Sequence, residues 1–354
     1  MHSELYKTIG KILAQNGETR ALTILRMTNA GISKYLSEIR EPIVFDYSHR
    51  KISGKRTIYF DDFLYLEIDW GNGEILKIKD NTSYYFAVIT YSEFRIYRIK
   101  IWYKPKNRKR IPDFRSIENI TNFISIGKLG ITDLSGMFHG DENFNGKISP
   151  NWDTSRIISM EEMFYGAEKF NQKIPNWDTS NVISMSKMFY QAKKFNQNIG
   201  YWDVSNVENM RGMFYDADKF NQPIGDWNVS KVINMGYMFY RASQFNQSIG
   251  DWNVSRVKNM DNMFNGATRF NQPIGDWNVS RVRNMDYMFN GARQFNQPIK
   301  WKTPKLTDAR YMFNYMISFR QSVEIDLPNL SMINELSGHS EMDERRVRLT
   351  IFPK

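Results

Sequence analysis

Apolar and polar positions along residues 131–320 recur with a period of 25. Trp152, Trp177, Trp202, Trp227, Trp252 and Trp277 hold that interval, and Trp301 follows. A Met-Phe pair recurs from Met137-Phe138 to Met312-Phe313, and a Phe-Asn pair from Phe144 to Phe295. Ile174, Ile199, Ile224, Ile249 and Ile274 each precede a Trp by three. In the unit from Asn221 to Phe245, Asn221-Gln222-Pro223 is turn chemistry and Ile224–Trp227 reads as a short extended segment. Asn228-Val229-Ser230 reads as a helix N-cap. Val232, Met235, Met238, Phe239 and Ala242 fall at i, i+3, i+6, i+7 and i+10, which predicts one helical stripe. Ser205 and Glu208 have capping-box spacing.

One such unit cannot bury its stripe alone, so the copies are expected to stack. Trp152, Trp177, Trp202, Trp227, Trp252 and Trp277 are the expected repeat core. Each buried indole contributes on the order of 4–6 kcal/mol gross, an upper bound set by the compactness of the unfolded chain. The Asn after each Phe is expected to form a ladder, because a recurrent amide in apolar surroundings must find hydrogen bonds. The Met positions are expected to be core, given Phe and Ala at the same spacing.

The segment NQPIGDWNVSRVRNMDYMFNGARQF (271–295) closely resembles the BspA-like bacterial surface-protein repeat, also seen in mycoplasma lipoproteins and large DNA viruses. That resemblance spans about 130–320. It implies a leucine-rich-repeat-like α/β solenoid, right-handed, with one short strand and one helix per turn, and no enzyme. Upstream, Tyr65-Leu66-Glu67-Ile68-Asp69-Trp70-Gly71-Asn72-Gly73 resembles the hairpin of polycystic-kidney-disease (PKD) type β-sandwich domains, where Asp often stands at the position of Asn72. Asn72-Gly73 is a hairpin signal by itself. Thr90-Tyr91 and the alternating Tyr97, Ile99, Ile101 and Tyr103 fit that domain's closing strand. Residues 18–36 are similar to the middle and end of an F-box, with Leu5-Tyr6 where the usual Leu-Pro would open it. The expected organisation is a helical segment at 1–40, a sandwich at 43–104, a basic linker and cap at 105–130, the repeats at 131–320, and a C-terminal cap at 321–354.

Charge changes the picture locally. The chain of 354 residues carries a formal net charge of +10, yet residues 131–300 hold 18 basic and 17 acidic side chains. The excess lies in the first third, densest at Lys104, Lys106, Arg108, Lys109 and Arg110, and reads as a solvated linker. A balanced central section does not suit a nucleic-acid protein. No stretch is long and apolar enough for a membrane span, and the opening residues lack a signal-peptide pattern, so an intracellular protein is expected. Cys is absent, and His2, His49, His139 and His339 are scattered, which leaves no thiolate or histidine-rich centre. No phosphate-cradle or hydrolase motif occurs, so neither catalytic residues nor cofactors are expected.

The residues that vary between copies say more. Position 25 apart on one face, Lys231, Arg256 and Arg281 form a basic stripe, with Lys258 and Arg283 beside it. Asp226, Asp251 and Asp276 form an acidic one. If adjacent, the stripes neutralise one another; if apart, the basic stripe is a candidate contact for an acidic protein partner. The function expected is a non-enzymatic protein–protein interaction scaffold. The alternatives are an F-box-type adaptor of a ubiquitin ligase, or a bacterial surface adhesin.

Overall fold

The computed structural model describes residues 42–48, 56–60, 63–81, 85–89, 96–105, 111–112, 114, 120–126, 131–174 and 177–326. The F-box-like segment 1–40, the basic residues Lys106, Arg108, Lys109 and Arg110, and the cap beyond 326 lie outside the described residues.

Seven strands precede the repeats: β1 (Ile43–Ser48), β2 (Arg56–Phe60), β3 (Phe63–Asp69), β4 (Ile75–Asn81), β5 (Tyr85–Ile89), β6 (Ile96–Pro105) and β7 (Ile120–Ile126). Alternation drives them: Leu66 and Ile68 of β3 and Ile99 and Ile101 of β6 point into a core and are buried. β3 and β4 form an antiparallel hairpin around Trp70–Glu74, with Asp69 paired to Ile75. Its turn is held by Asp69 Oδ1, which accepts from Gly71 N at 2.9 Å, and by Asn72 Oδ1, which accepts from Glu74 N at 3.0 Å. Gly71 has φ 78°, and a Cβ there would lie 2.6 Å from the Arg98 carbonyl oxygen, so only glycine fits. β2 and β5 pair as a separate two-stranded sheet.

The larger sheet has the order β4-β3-β6-β1-β7-β8, where β8 (Lys147–Ile148) already belongs to the first repeat. β7 pairs antiparallel with β1 on one side and parallel with β8 on the other. Phe123 of β7 is the hinge of this junction. Fully buried, it meets Phe114, Phe138 and Trp152 edge-on at 5.2–5.6 Å. Its carbonyl accepts from Ser149 N at 2.9 Å and Trp152 Nε1 at 3.2 Å. The sheet therefore covers the first rung, whose apolar end would otherwise face water.

The expected helix in each repeat is not formed, and the α/β solenoid reading is corrected: no helix occurs among the described residues. The residues assigned to the helical stripe are buried as anticipated, with Val232, Met235, Met238, Phe239 and Ala242 all at 0% exposure. Their backbone is a succession of turns. Met238 N donates to Met235 O, Tyr240 N to Tyr237 O and Ala242 N to Phe239 O, at 3.1–3.2 Å. The intervening amides donate to the next rung instead: Met235 N to Asn259 O, Tyr237 N to Asp261 O, Phe239 N to Met263 O and Arg241 N to Asn265 O, at 2.7–2.9 Å. Half of the donors that a helix would use internally thus tie one copy to the next.

Left-handed residues enforce this path. Tyr237 (φ 59°) and Arg241 (φ 53°) flank the Met-Phe pair, and the equivalent positions in other rungs are also left-handed, as at Gly212, Asp216, Asn262 and Gly266. A non-glycine residue there costs about 1–2 kcal/mol, which packing must offset. The N-cap signals are likewise reassigned. Asn228 Oδ1 accepts from Ser230 N at 3.2 Å as an Asx turn, and Ser205 N bonds Asp203 Oδ1 at 2.9 Å rather than opening a capping box.

Copies stack in parallel through single-residue bridges that run Asp133, Ser159, Ser184, Asn209, Asn234, Asn259, Asn284, Asp308. Inside, two phenylalanine columns are continuous. Rings of the Met-Phe pairs follow one another at 5.4–6.0 Å, and those of the Phe-Asn pairs at 5.6–6.2 Å. The expected tryptophan core residues are all 3–4% exposed, and the pairs Trp152–Trp177, Trp177–Trp202 and Trp227–Trp252 stack at 5.6–6.5 Å. At the far end β9 (Ile299–Lys302) pairs in parallel with β10 (Val323–Asp326), and Phe319 closes its column against Phe295.

Candidate interaction surface

The expected asparagine ladder is present, with the side-chain oxygen rather than the amide as its working atom. From Asn145 to Asn296 each Oδ1 accepts the backbone N–H of the residue one rung on, at 2.7–3.0 Å. Gln172, Gln197, Gln222, Gln247, Gln272 and Gln297 reach back to the same oxygens. Saturated in this way, the ladder fixes the spacing between rungs.

With the interior uniform, the surface carries the differences. Lys231, Arg256 and Arg281 are exposed, one per rung, and Lys305 continues their column. Lys258 and Arg283 are exposed in a second column, where Lys258 N donates to Ile233 O and Arg283 N to Lys258 O. All five basic residues singled out from the sequence are thus exposed, in two columns separated by the buried Val232, Val257 and Val282. Asp226, Asp251 and Asp276 are exposed in a column of their own. No ion pair within 4 Å joins the acidic column to Lys231, Arg256 or Arg281 among the described residues. Lys231 Nζ instead bonds Asn206 Oδ1 at 2.5 Å. Asp203, one rung earlier, is held below its ordinary value by the Ser205 hydroxyl and amide, with Lys231 adding to the effect.

A second feature was missed by sequence reasoning. His139, Tyr165, Tyr190, Tyr215 and Tyr240 form a half-buried ring stack with centroids 4.0–4.4 Å apart. The signal lay in the sequence, since a Tyr follows four successive Met-Phe pairs. Burial raises the Tyr190 phenol well above its ordinary value, and hydrogen bonding with Tyr215 adds to this. Tyr215 is raised for the same first reason.

A third feature joins residues 50 apart, a spacing no single repeat reveals. Arg211 Nη1 reaches Asp261 Oδ1 at 3.1 Å, across the rung that carries Gly236. The guanidinium lies 4.6 Å from the centre of the Tyr237 ring. Burial, then the Asp261 carboxylate, raise the Tyr237 phenol. On the next rung Asp286 receives Arg310 through Nη2 at 2.6 Å and Nε at 3.4 Å. Near the first rungs, half-exposed Ile158 and Ile183 lie in a shallow groove with Glu161, Glu162, Ser159 and Ser184.

Among the described residues no cluster of metal-ligating side chains occurs and no helix is long and apolar enough to cross a membrane. Comparison with characterised proteins gives no match, and neither does comparison with solved structures. The family described as "Mycoplasma protein of unknown function, DUF285" matches residues 132–248 and 219–326. Those two matches run continuously over more than half of the chain, the same stretch in which the rungs stack, and the chain belongs to the DUF285 family.

Proposed function

We propose that this chain is a non-enzymatic interaction protein whose stacked repeats display columns of side chains to a protein partner. The observation that carries the reading is the contrast between positions. Buried positions keep Ile, Trp, Met, Phe and Ala from rung to rung. Exposed positions change: one column runs Arg156, Asn181, Asn206, Lys231, Arg256, Arg281, and another Ile158, Ile183, Glu208, Ile233, Lys258, Arg283. A constant core with a varied outer face is what recognition requires of a repeat. The role of the strands before the repeats is to cover the first rung and orient the column.

The test is photo-crosslinking of the full chain in its native cells from positions 256 and 190, followed by binding of the purified partner to surface variants. Charge reversal in the exposed columns is expected to weaken that complex at least about tenfold, the usual scale for charge at an interface. A recovered partner indifferent to every exposed column would refute the proposal.

A further inference from the structure

On the rungs of Trp227, Trp252 and Trp277 the surface charges are sorted rather than mixed. The first three rungs carry an acidic residue just after the Trp: Asp153, Asp178 and Asp203. The last three carry Asn228, Asn253 and Asn278 there, and place the acid just before the Trp, at Asp226, Asp251 and Asp276. The basic residues Lys231, Arg256 and Arg281 appear on those same rungs. Acid and base are thereby moved apart by two residues at the point where both become strong.

Local geometry puts both columns along one strip. Trp227 and Val229 are buried while Asp226 and Asn228 are exposed, and turns at Gly225-Asp226 and Ser230-Lys231 bound this short stretch. The strip is bordered by acid on one side and base on the other, with a neutral asparagine column between. Along the tryptophan column that these charges flank, neighbouring rings lie 5.6–6.5 Å apart, and each column presents like charges once per rung.

We infer that this strip is a self-association surface, and that its partner is a second copy of this chain. Charge self-complementarity is the argument. Another copy presents charges at the same interval and meets every acid with a base. An extended acidic peptide meets the basic column alone and is repelled by the acidic one. Nucleic acid phosphates are repelled by the acidic column in the same way. The pattern also selects the orientation. A two-fold axis along the stack lays the acidic column of one copy over the basic column of the other, and does so twice. A two-fold axis across the stack lays acid on acid. The two columns therefore run in the same direction, through an isologous contact. A strip three rungs long falls in the small, transient class of interface, so the association is weak and salt-sensitive.

The inference goes beyond the interaction reading and stands apart from it, since a chain that stays monomeric can still bind a different protein. The experiment is sedimentation velocity on the full chain at about 0.02 M and about 0.5 M salt, a range over which screening changes strongly. Dimer at low salt that dissociates at high salt is expected. The triple variants K231E/R256E/R281E and D226K/D251K/D276K each replace one column. Each alone is expected to associate at least about tenfold more weakly, and their equimolar mixture to recover the wild-type constant within about threefold. Circular dichroism and a cooperative melt show that both variants fold; should one not fold, single reversals at Arg256 and Asp251, mixed in the same way, replace it. A monomeric wild type at low salt, unchanged association in either triple variant, or no recovery on mixing overturns the inference. So does tight capture of polyglutamate by a wild type that does not self-associate, which would assign the basic column to an acidic peptide.

Discussion

Gly236 tests the reasoning most directly, because two effects of opposite sign compete there. Its backbone is not left-handed, and a Cβ would come 2.2 Å from Asp261 Oδ1 and 2.8 Å from Arg211 Nη1. Considered through the unfolded chain alone, Gly236→Ala should stabilise by about 0.4–1 kcal/mol. The added methyl, however, stands between Arg211 and Asp261, and both clashing atoms end flexible side chains that can swing aside. The price is then the ion pair. Asp261 has a side chain only 11% exposed, while Arg211 is 38% exposed. A charged hydrogen bond at a mostly buried acceptor is worth about 1.5–3 kcal/mol, and solvent at the arginine reduces this. A net loss of about 1–2 kcal/mol is expected on combining these terms. In an Asp261→Ala background the obstacle and the pair are both gone, so the same Gly236→Ala change should turn neutral or stabilising. Urea unfolding followed by tryptophan fluorescence measures all four proteins of the cycle, with unchanged m-values as the condition for comparison. If Gly236→Ala stabilises the wild type, or costs the same in both backgrounds, the pair across the rung contributes nothing and the account of this column is wrong.

Four further outcomes follow from the same contacts. Trp252 Nε1 donates to Ile224 O at 3.1 Å, whereas Trp202 Nε1 is buried without a partner and Tyr201 Oη donates to Ile174 O at 2.8 Å. Trp252→Phe should therefore cost about 1–2 kcal/mol more than Trp202→Phe in paired urea melts, and equal costs would refute the hydrogen-bond argument. Asn246→Ala strands the Asn271 N–H and leaves Gln272 Nε2 only the Asn246 carbonyl, and is expected to lose about 1–3 kcal/mol by the same assay. Gly250 would place a Cβ 2.7 Å from the Pro273 carbonyl oxygen of the next rung. Backbone cannot swing aside, so Gly250→Ala should destabilise by more than Gly236→Ala. Tyr190, Tyr215 and Tyr237 all hold their protons above the ordinary phenol value of 10.0. Their linked stability is complete below pH about 10 and is lost as the pH rises toward the folded values, because the unfolded phenols ionise first. Stability measured against pH should fall above pH about 10, less steeply in Tyr190→Phe, and an unchanged slope would count against the ring stack as its source.

How much of this was legible can be argued from one run of residues. The repeat, its core and the asparagine ladder were readable because burial follows residue identity, and Trp, Phe and Met at fixed intervals leave little choice. The backbone between them was misread because a short window of apolar positions cannot separate two periods. Val229, Val232, Met235 and Met238 are three apart, and so are Phe239, Ala242 and Phe245; all seven are buried. A helix advances about 100° per residue, so a strict step of three drifts back by about 60° each time. Over Val229 to Met238 that is about 180°, enough to carry the last side chain to the opposite face. A run that long therefore fits turns, each closing on itself after three residues, better than a helix. The window Val232–Ala242 was too short to show the drift, and the single step from Met238 to Phe239 imitated a helical i+7. The left-handed residues could have broken the tie only through glycines such as Gly136, Gly140, Gly166, Gly212, Gly266 and Gly291, since Tyr237 and Arg241 occupy the same conformation without announcing it. Contacts such as Arg211 to Asp261 were out of reach for a related reason: they depend on which rung lies over which, and on a missing side chain between them. Where the apolar positions within one copy of a repeat are strictly three apart, the hydrogen bonds should be sought between copies before they are sought within one.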